Sequence, residues 1–451
     1  MIYILIFIIV MLVLTYLNFF DYASPTFIFL SGWTLCSIIA YIYRNEWSLQ
    51  VVALPCALMI CGGAIVAFIT EYLYRKKYSF VVEKYQYFFV PRTWKLVVLL
   101  VFQCVVYYLV AKNKMSFVSM TNLSDAIGEL DHQVKFEEVV FKLPGYLNIS
   151  NQFCQQGGFI WTFLFPFYLV KGKKYRKTAF LCGSNLLATI IGSMLSGGRM
   201  PMVNYIIPTL LSWYLVIKNK NGTSKSEIPF KTQLKIVLII AVLCLSFSQI
   251  GVLMGRDEAI LDDTNYMFAM YCGAEIRNLE DVILNPLSNP DYGLPLYRTF
   301  NGLYENLGDR LGLQLPVIKM MGFNQVNGYA LGNVYSCYKC YYDDLGILGF
   351  IMISPVILFM LWLYRKSLSS SMLSTGKISI HYIFFSYFIM GLALSFFSEL
   401  MFTRISIEAI LRMYIYIYIL KRFLQGKNNK ILYEKKNYSN TSSSVSSIQR
   451  K

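Results

Sequence analysis

Eleven apolar runs of spanning length leave this chain little choice but to fold in a bilayer. They fall at approximately residues 2 to 20, 25 to 43, 51 to 73, 94 to 111, 157 to 170, 178 to 196, 200 to 217, 235 to 254, 346 to 364, 378 to 397 and 405 to 420. A helix crosses a hydrocarbon core of ~30 Å with roughly 20 apolar residues, and most of these runs approach that length. The 451 residues are 56% hydrophobic and only 15% charged, with a mean hydropathy of +0.49, which no soluble domain of this size carries. The expected fold is therefore an all-α polytopic membrane protein of about eleven transmembrane helices, within a range of roughly 10 to 13. The first run, MIYILIFIIVMLVLTYL, has no basic n-region and no small-residue cleavage site, so it reads as a spanning helix rather than a signal peptide.

A net charge of +16 invites a nucleic-acid reading, but the basic residues sit in short blocks after alternate runs. Arg75, Lys76 and Lys77 follow the third run, Lys171, Lys173 and Lys174 the fifth, and Lys218 and Lys220 the seventh. Arg365 and Lys366 follow the ninth, and Lys421 and Arg422 the last. By the positive-inside rule these ends are cytoplasmic, which puts the amino terminus outside and the carboxyl terminus in the cytoplasm. Four regions result: helices 1 to 8 in residues 1–254, with an outer loop at about 112–156; a large outer cap at 255–345; helices 9 to 11 in 346–422; and a Ser-rich tail at 423–451, expected to be disordered. A structureless loop as long as the cap is rare, so it should fold against the bundle. In the shorter loop, DAIGELDHQVKFEEVVFKLP has the spacing of an amphipathic surface helix.

Charges near membrane depth are candidate functional groups. Arg199 in LSGGRMPM and Arg256 in LMGRDEA stand where runs meet the outer surface, each preceded by glycine and suited to gripping a phosphate. Their bland alternatives are a snorkelling side chain and a salt bridge to Asp257 or Glu258. Within the cap, PLYRTFNGLYENLGDRLGL carries Arg298, Glu305, Asp309 and Arg310 among aromatic residues, a composition that suits a carbohydrate or a plain surface. Asp343 and Asp344 precede run nine, where burial beside a like charge would raise one pKa toward that of a general base; alternatively Asp344 caps the helix expected from Gly346. Glu399 and Arg404, in FFSELMFTRIS, either pair structurally or join the same site. Cys154, Cys272, Cys337 and Cys340 fall in segments placed outside, where three disulfide connectivities are open. Cys337 and Cys340 alone do not make a metal site, because zinc takes about four ligands and the chain's two histidines, His132 and His381, are distant in sequence.

Asn333, Tyr335 and Ser336, followed by Tyr342, Asp344, Gly346 and Gly349 at the start of a run, resemble the N-x-Y-T and Y-x-D-F-G-x-x-G blocks of the O-antigen polymerases of the Wzy type. The SGGR of Ser196 to Arg199 is similar to that family's S/T-G-x-R element. Ser336 stands where Thr is usual, Leu345 where Phe is, and Met200 where Ser or Thr is. The resemblance implies the architecture of a metal-independent membrane glycosyltransferase. Such an enzyme of the bacterial inner membrane transfers a growing glycan from undecaprenyl pyrophosphate to the next lipid-linked repeat unit at the periplasmic face, in surface polysaccharide biosynthesis. A pyrophosphate leaving group needs fixed cations, a role for Arg199, Arg256, Arg298 and Arg310. The acceptor hydroxyl needs a base, for which Asp344 ranks first and Glu399 second. Asn333, Tyr335, Tyr342 and Glu305 would face the glycan. No metal or cofactor is expected. The implied partners are the lipid-linked oligosaccharide, the bilayer and a chain-length regulator, with no nucleic acid. An O-antigen ligase is one alternative, though His132, its only outer histidine, lies in an ordinary amphipathic segment. A transporter or flippase of lipid-linked oligosaccharide is the other, against which the lopsided cap argues.

Overall fold

The computed structural model describes residues 1–80, 87–136, 139–198, 200–221, 264–285, 295–312, 322–426 and 430–433. Helix α1 (Ile2–Phe19) stops where Phe20 turns left-handed at φ 47°. Five residues later α2 (Pro25–Ile42) starts with a proline in its first turn, where the missing N–H costs nothing, and the Ser24 hydroxyl accepts from the Phe27 N–H at 3.3 Å. Helix α3 (Leu54–Lys77) returns beside them and ends in Arg75, Lys76 and Lys77, cations that suit a helix C-terminus. After the short strand β1 (Tyr87–Val90) come α4 (Thr93–Phe117), α5 (Leu123–Phe136), α6 (Gly145–Lys171), α7 (Arg176–Met194) and α8 (Met200–Asn221). The cap contributes α9 (Thr264–Cys272), α10 (Glu275–Leu284), α11 (Asn301–Leu311) and a hairpin of β2 (Asn324–Val326) and β3 (Tyr329–Gly332). Then follow α12 (Cys337–Leu345), a tighter helical turn at Gly346–Met352, α13 (Ile353–Leu368), the single turn α14 (Met372–Thr375), α15 (Ile380–Ala393), α16 (Ile407–Gln425) and β4 (Lys430–Tyr433).

Two groups of helices share one core. Helices α1, α2, α3 and α13 pack together, as do α4, α6, α7, α8 and α16, and α15 touches both α2 and α8. The apolar cluster runs continuously from Ile4 and Trp33 through Phe163 and Ile389 to Leu424. Among the described residues five helices are long and apolar enough to cross a membrane: α1, α2, α3, α4 and the stretch Cys337–Leu368. On α1 the residues Ile6, Val13 and Leu17 are exposed, as are Val97, Val101 and Val105 on α4, the composition of a lipid-facing surface. The protein is mostly helical and multi-pass.

Ten of the eleven apolar runs coincide with described helices; the run at 235–254 lies outside the described residues. The loop expected at about 112–156 contains the amphipathic helix read there, as α5, and its neighbours reach into it, α4 to Phe117 and α6 from Gly145. Its amides, among them Asn148, Gln152 and Gln156, lower the hydropathy without breaking the helix. At the end of the segment assigned to the cap, α12 packs against α2 and α3. Tyr338 is fully buried with its ring 5.0 Å from that of Trp33, and its hydroxyl lies 1.7 Å from where a Cβ on Gly63 would stand, so α3 has room for α12 only as glycine. At the start of the tail expected to be disordered, α16 reaches Gln425, and β4 pairs antiparallel with β1, Tyr433 opposite Tyr87. The Ser-rich end lies outside the described residues. Cys154, Cys272, Cys337 and Cys340, whose pairing the sequence leaves open, are all free thiols, Cys154 buried within α6 and Cys337 within α12.

The two motif glycines have backbone reasons. Gly346 sits at φ 59°, ψ −144°, which a side chain would strain. A Cβ on Gly349 would come within 2.4 Å of the Tyr341 carbonyl oxygen. Together they let the turn after α12 pack closely against the α12 backbone.

A buried cation beneath the cap helix: the candidate functional site

Helix α11 of the cap rests on the turn Phe402–Arg404 that links α15 to α16. The rings of Phe300 and Phe402 are 4.6 Å apart, and a Cβ on Gly302 would sit 3.2 Å from the Thr403 carbonyl oxygen, so the two segments meet nearly backbone to backbone. Asp344, at the end of α12, holds the approach to α11. One oxygen accepts from the Arg298 N–H at 3.0 Å, the other from the Thr299 N–H at 2.7 Å and its hydroxyl at 2.6 Å. Asp344 thus anchors the start of a helix distant in sequence, and does not cap the one after Gly346. Its neighbour Asp343 turns away to Lys339 at 2.5 Å, so the two carboxylates do not face one another as a like-charge pair.

Glu399 lies on the other side of the same turn, 3% exposed. Its carboxylate accepts from the N–H groups of Met401, Phe402 and Thr403 at 2.9 to 3.1 Å. Burial pushes this carboxyl above its ordinary value, with the three N–H groups and Arg404 pulling the other way. Glu399 therefore shapes the turn on which Arg404 stands, without forming an ion pair with it.

Arg404 is the group so presented. It enters between α8 and α15, donating to the Tyr387 carbonyl oxygen at 2.6 Å and to the Asn204 Oδ1 at 2.7 Å, with its guanidinium carbon 5.3 Å from the centre of the Tyr387 ring. Buried arginine is normally paired with an acid, yet among the described residues Arg404 forms no ion pair and its partners are neutral. Burial lowers its pKa, opposed by Tyr387, Tyr205 and Glu399, but a guanidinium stays charged throughout the physiological range. Helices α6 and α16 carry polar groups of their own: Arg412 donates to Gln152 at 2.5 Å and pairs with Glu408 at 3.0 Å, and Gln156 Oε1 is buried with no partner among the described residues.

Ser196, Gly197 and Gly198, the described part of the S-G-G-R element, precede α8. The second turn of α8 carries Asn204, and Gly197 takes φ 82° with Asp131 of α5 packed where its Cβ would be, at 3.1 Å. Arg199 and Arg256 lie outside the described residues, and the side chains of Glu305 and Arg310, although on α11, lie outside them too. Of the residues expected at the site, Arg298, Asp344 and Glu399 gather around α12 and the turn at Phe402–Arg404. Tyr335 and Tyr342 reach toward α10, and Asn333 directly follows β3: Tyr342 donates to the Ile283 carbonyl oxygen at 3.4 Å, and burial, reinforced by Asp281, raises the Tyr335 hydroxyl's pKa. No family model, curated protein or solved structure matches the chain.

One buried acid stands apart. Glu275, the first residue of α10, is fully buried against α2; the Cys36 thiol donates to its Oε2 at 3.9 Å, and its Oε1 has no partner among the described residues. Burial pushes this carboxyl well above the ordinary range, against the smaller pull of its own N–H and of Cys36. A folded state that holds the proton more tightly than the unfolded chain is favoured below the unfolded pKa of ~4.3, and that advantage is lost as pH rises toward the folded value. Glu275→Gln, a permanent mimic of the protonated acid, should raise the melting temperature of the purified protein, by more at about pH 8 than at about pH 5. An equal shift at both pH values would mean that the group does not titrate on folding.

Proposed function

We propose that the protein is a membrane glycosyltransferase that polymerises lipid-linked oligosaccharide repeat units, moving the growing glycan from undecaprenyl pyrophosphate to the next carrier-linked unit. In this reading the bundle carries about eleven spans in the bacterial inner membrane, the amino terminus and the cap are periplasmic, and the carboxyl terminus is cytoplasmic. The observation that supports it best is Arg404: a buried guanidinium without a counter-ion among the described residues, held by two neutral acceptors under a cap helix. A transferase that expels a lipid pyrophosphate needs such a fixed cation where negative charge develops. Asp344 and Glu399 each accept from backbone N–H groups and so position α11 and the Arg404 turn; with lone pairs still available, Asp344 is the first candidate and Glu399 the second to take the acceptor hydroxyl's proton. Arg199, chosen from the sequence as a pyrophosphate-binding residue, is the second cation of this reading.

The test is reconstitution. Full-length protein in proteoliposomes, given an undecaprenyl-pyrophosphate-linked repeat unit, should convert it to a ladder of lipid-linked chain lengths on a gel. Transfer of a single unit to a lipid that is not carrier-linked would assign a ligase. Movement of intact substrate across the bilayer with no change in chain length would assign a flippase.

A further inference from the structure

At the opposite end of α1 and α3 from the cap, Asn18, Phe19, Tyr72, Arg75 and Lys76 line a concavity of about 260 Å³. Its floor is Arg75. The guanidinium is sandwiched between the rings of Phe19 and Phe80, at 4.9 and 4.3 Å from their centres, and is fixed by Glu71 on Nε at 2.6 Å and by Asp21 on one terminal nitrogen at 3.2 Å. A guanidinium has five donors in a rigid fork, so these bonds orient it and leave its other terminal nitrogen to donate. Lys76 stands at the rim with its ammonium 4.6 Å from the centre of the Tyr72 ring, and the Asn18 amide uses one hydrogen on the Leu14 carbonyl oxygen and keeps a second. The lining is thus a set of convergent donors with aromatic walls.

Location decides what such a site holds. Both lining helices are long and apolar enough to cross a membrane, and the concavity lies where they end. A tyrosine and a phenylalanine beside cations at that level form the arrangement that seats a lipid headgroup, the rings against the upper acyl region and the cations on the phosphate. We infer that this concavity binds the phosphate of an anionic membrane lipid, with Arg75 as the fixed donor, and Lys76 and Asn18 closing around the headgroup. Lys77 and Arg365, both stacked on Tyr78, extend the positive surface beside it.

Native mass spectrometry of the full-length protein, released from nanodiscs that mix phosphatidylglycerol with phosphatidylcholine, tests the assignment. Phosphatidylglycerol should be retained in preference, and Lys76→Gln should weaken its retention about fivefold, the effect of roughly one lysine near an anionic surface. Lys174→Gln, on the exposed turn after α6, should change it little. Because Lys76 is exposed and outside the packed core, the variant should fold normally, which its unchanged melting temperature would confirm. Equal losses in both variants would reduce the effect to overall charge and overturn the site. Inorganic phosphate that displaces phosphatidylglycerol at millimolar concentration would overturn the lipid assignment in favour of a soluble anion.

Discussion

Arg404→Ala should cut polymer formation about 10²- to 10³-fold, the usual consequence of removing one preorganised donor from a developing oxyanion, while the protein still inserts and accumulates. The expectation follows from the cost of placing this charge. A buried guanidinium beside the Tyr387 ring, with no ion-pair partner among the described residues, is expensive to maintain unless an anion arrives to meet it. A purely structural arginine would make a different set of predictions. Removing it leaves the Asn204 amide oxygen without its donor, at about 1 to 3 kcal/mol, so stability falls in either case and cannot discriminate. Ligand response can. Inorganic pyrophosphate should raise the melting temperature of the wild type and leave that of Arg404→Ala unmoved. Arg404→Lys keeps the charge but loses the planar fork that reaches both acceptors, and should recover only part of the activity. Normal ladders from Arg404→Ala would remove the main support for the transferase reading.

Helix positions were legible because lipid imposes a length and a composition, and these survive in a single sequence even where the boundaries drift. The amphipathic α5 was legible for the same reason: Ala126, Ile127 and Leu130 recur at helical spacing and all three are buried. What could not be read were pairings across long separations. Arg404 meets Asn204 from 200 positions away, and Asp344 meets Thr299 from 45; neither partner carries a pattern that names the other. The strand β4 was hidden because four residues after a helix are too few to show alternation, and its partner lies before α4. Glu71 was legible and overlooked. An acid near the end of an apolar run, four residues before an arginine, is a costly placement that calls for a partner, and it has three: the Ser24 hydroxyl, the Thr26 N–H and Arg75.

Asp21→Leu should destabilise the protein by about 3 to 5 kcal/mol, the penalty for leaving buried cations without their acid. Asp21 is 4% exposed in the turn between α1 and α2. One oxygen accepts from Lys218 at 2.9 Å and Tyr214 at 3.2 Å, the other from Tyr364 at 2.8 Å and Arg75 at 3.2 Å. These donors belong to α8, α13 and α3, so one carboxylate ties three helices to the first turn of the chain. Burial alone would raise its pKa, but Lys218 and Arg75 outweigh burial and hold it below the ordinary value. A depressed pKa means that the unfolded chain takes up the proton first. The contribution is therefore complete above the ordinary carboxylate pKa of ~3.9 and is lost as pH falls through the lower folded value. Melting curves of the wild type should steepen their decline only at acid pH, and those of Asp21→Asn should lack that component. Because the cost arises from stranded cations more than from a lost attraction, Asp21→Leu combined with Lys218→Met should recover a substantial part of the stability, Arg75 still being held by Glu71 at 2.6 Å. Failure of the second substitution to recover any of it would show that the tie between the helices, and not the unpaired ammonium, is what the carboxylate supplies. Either outcome bears on the site, since α8 is held at this end by Lys218 and at the other places Asn204 against Arg404.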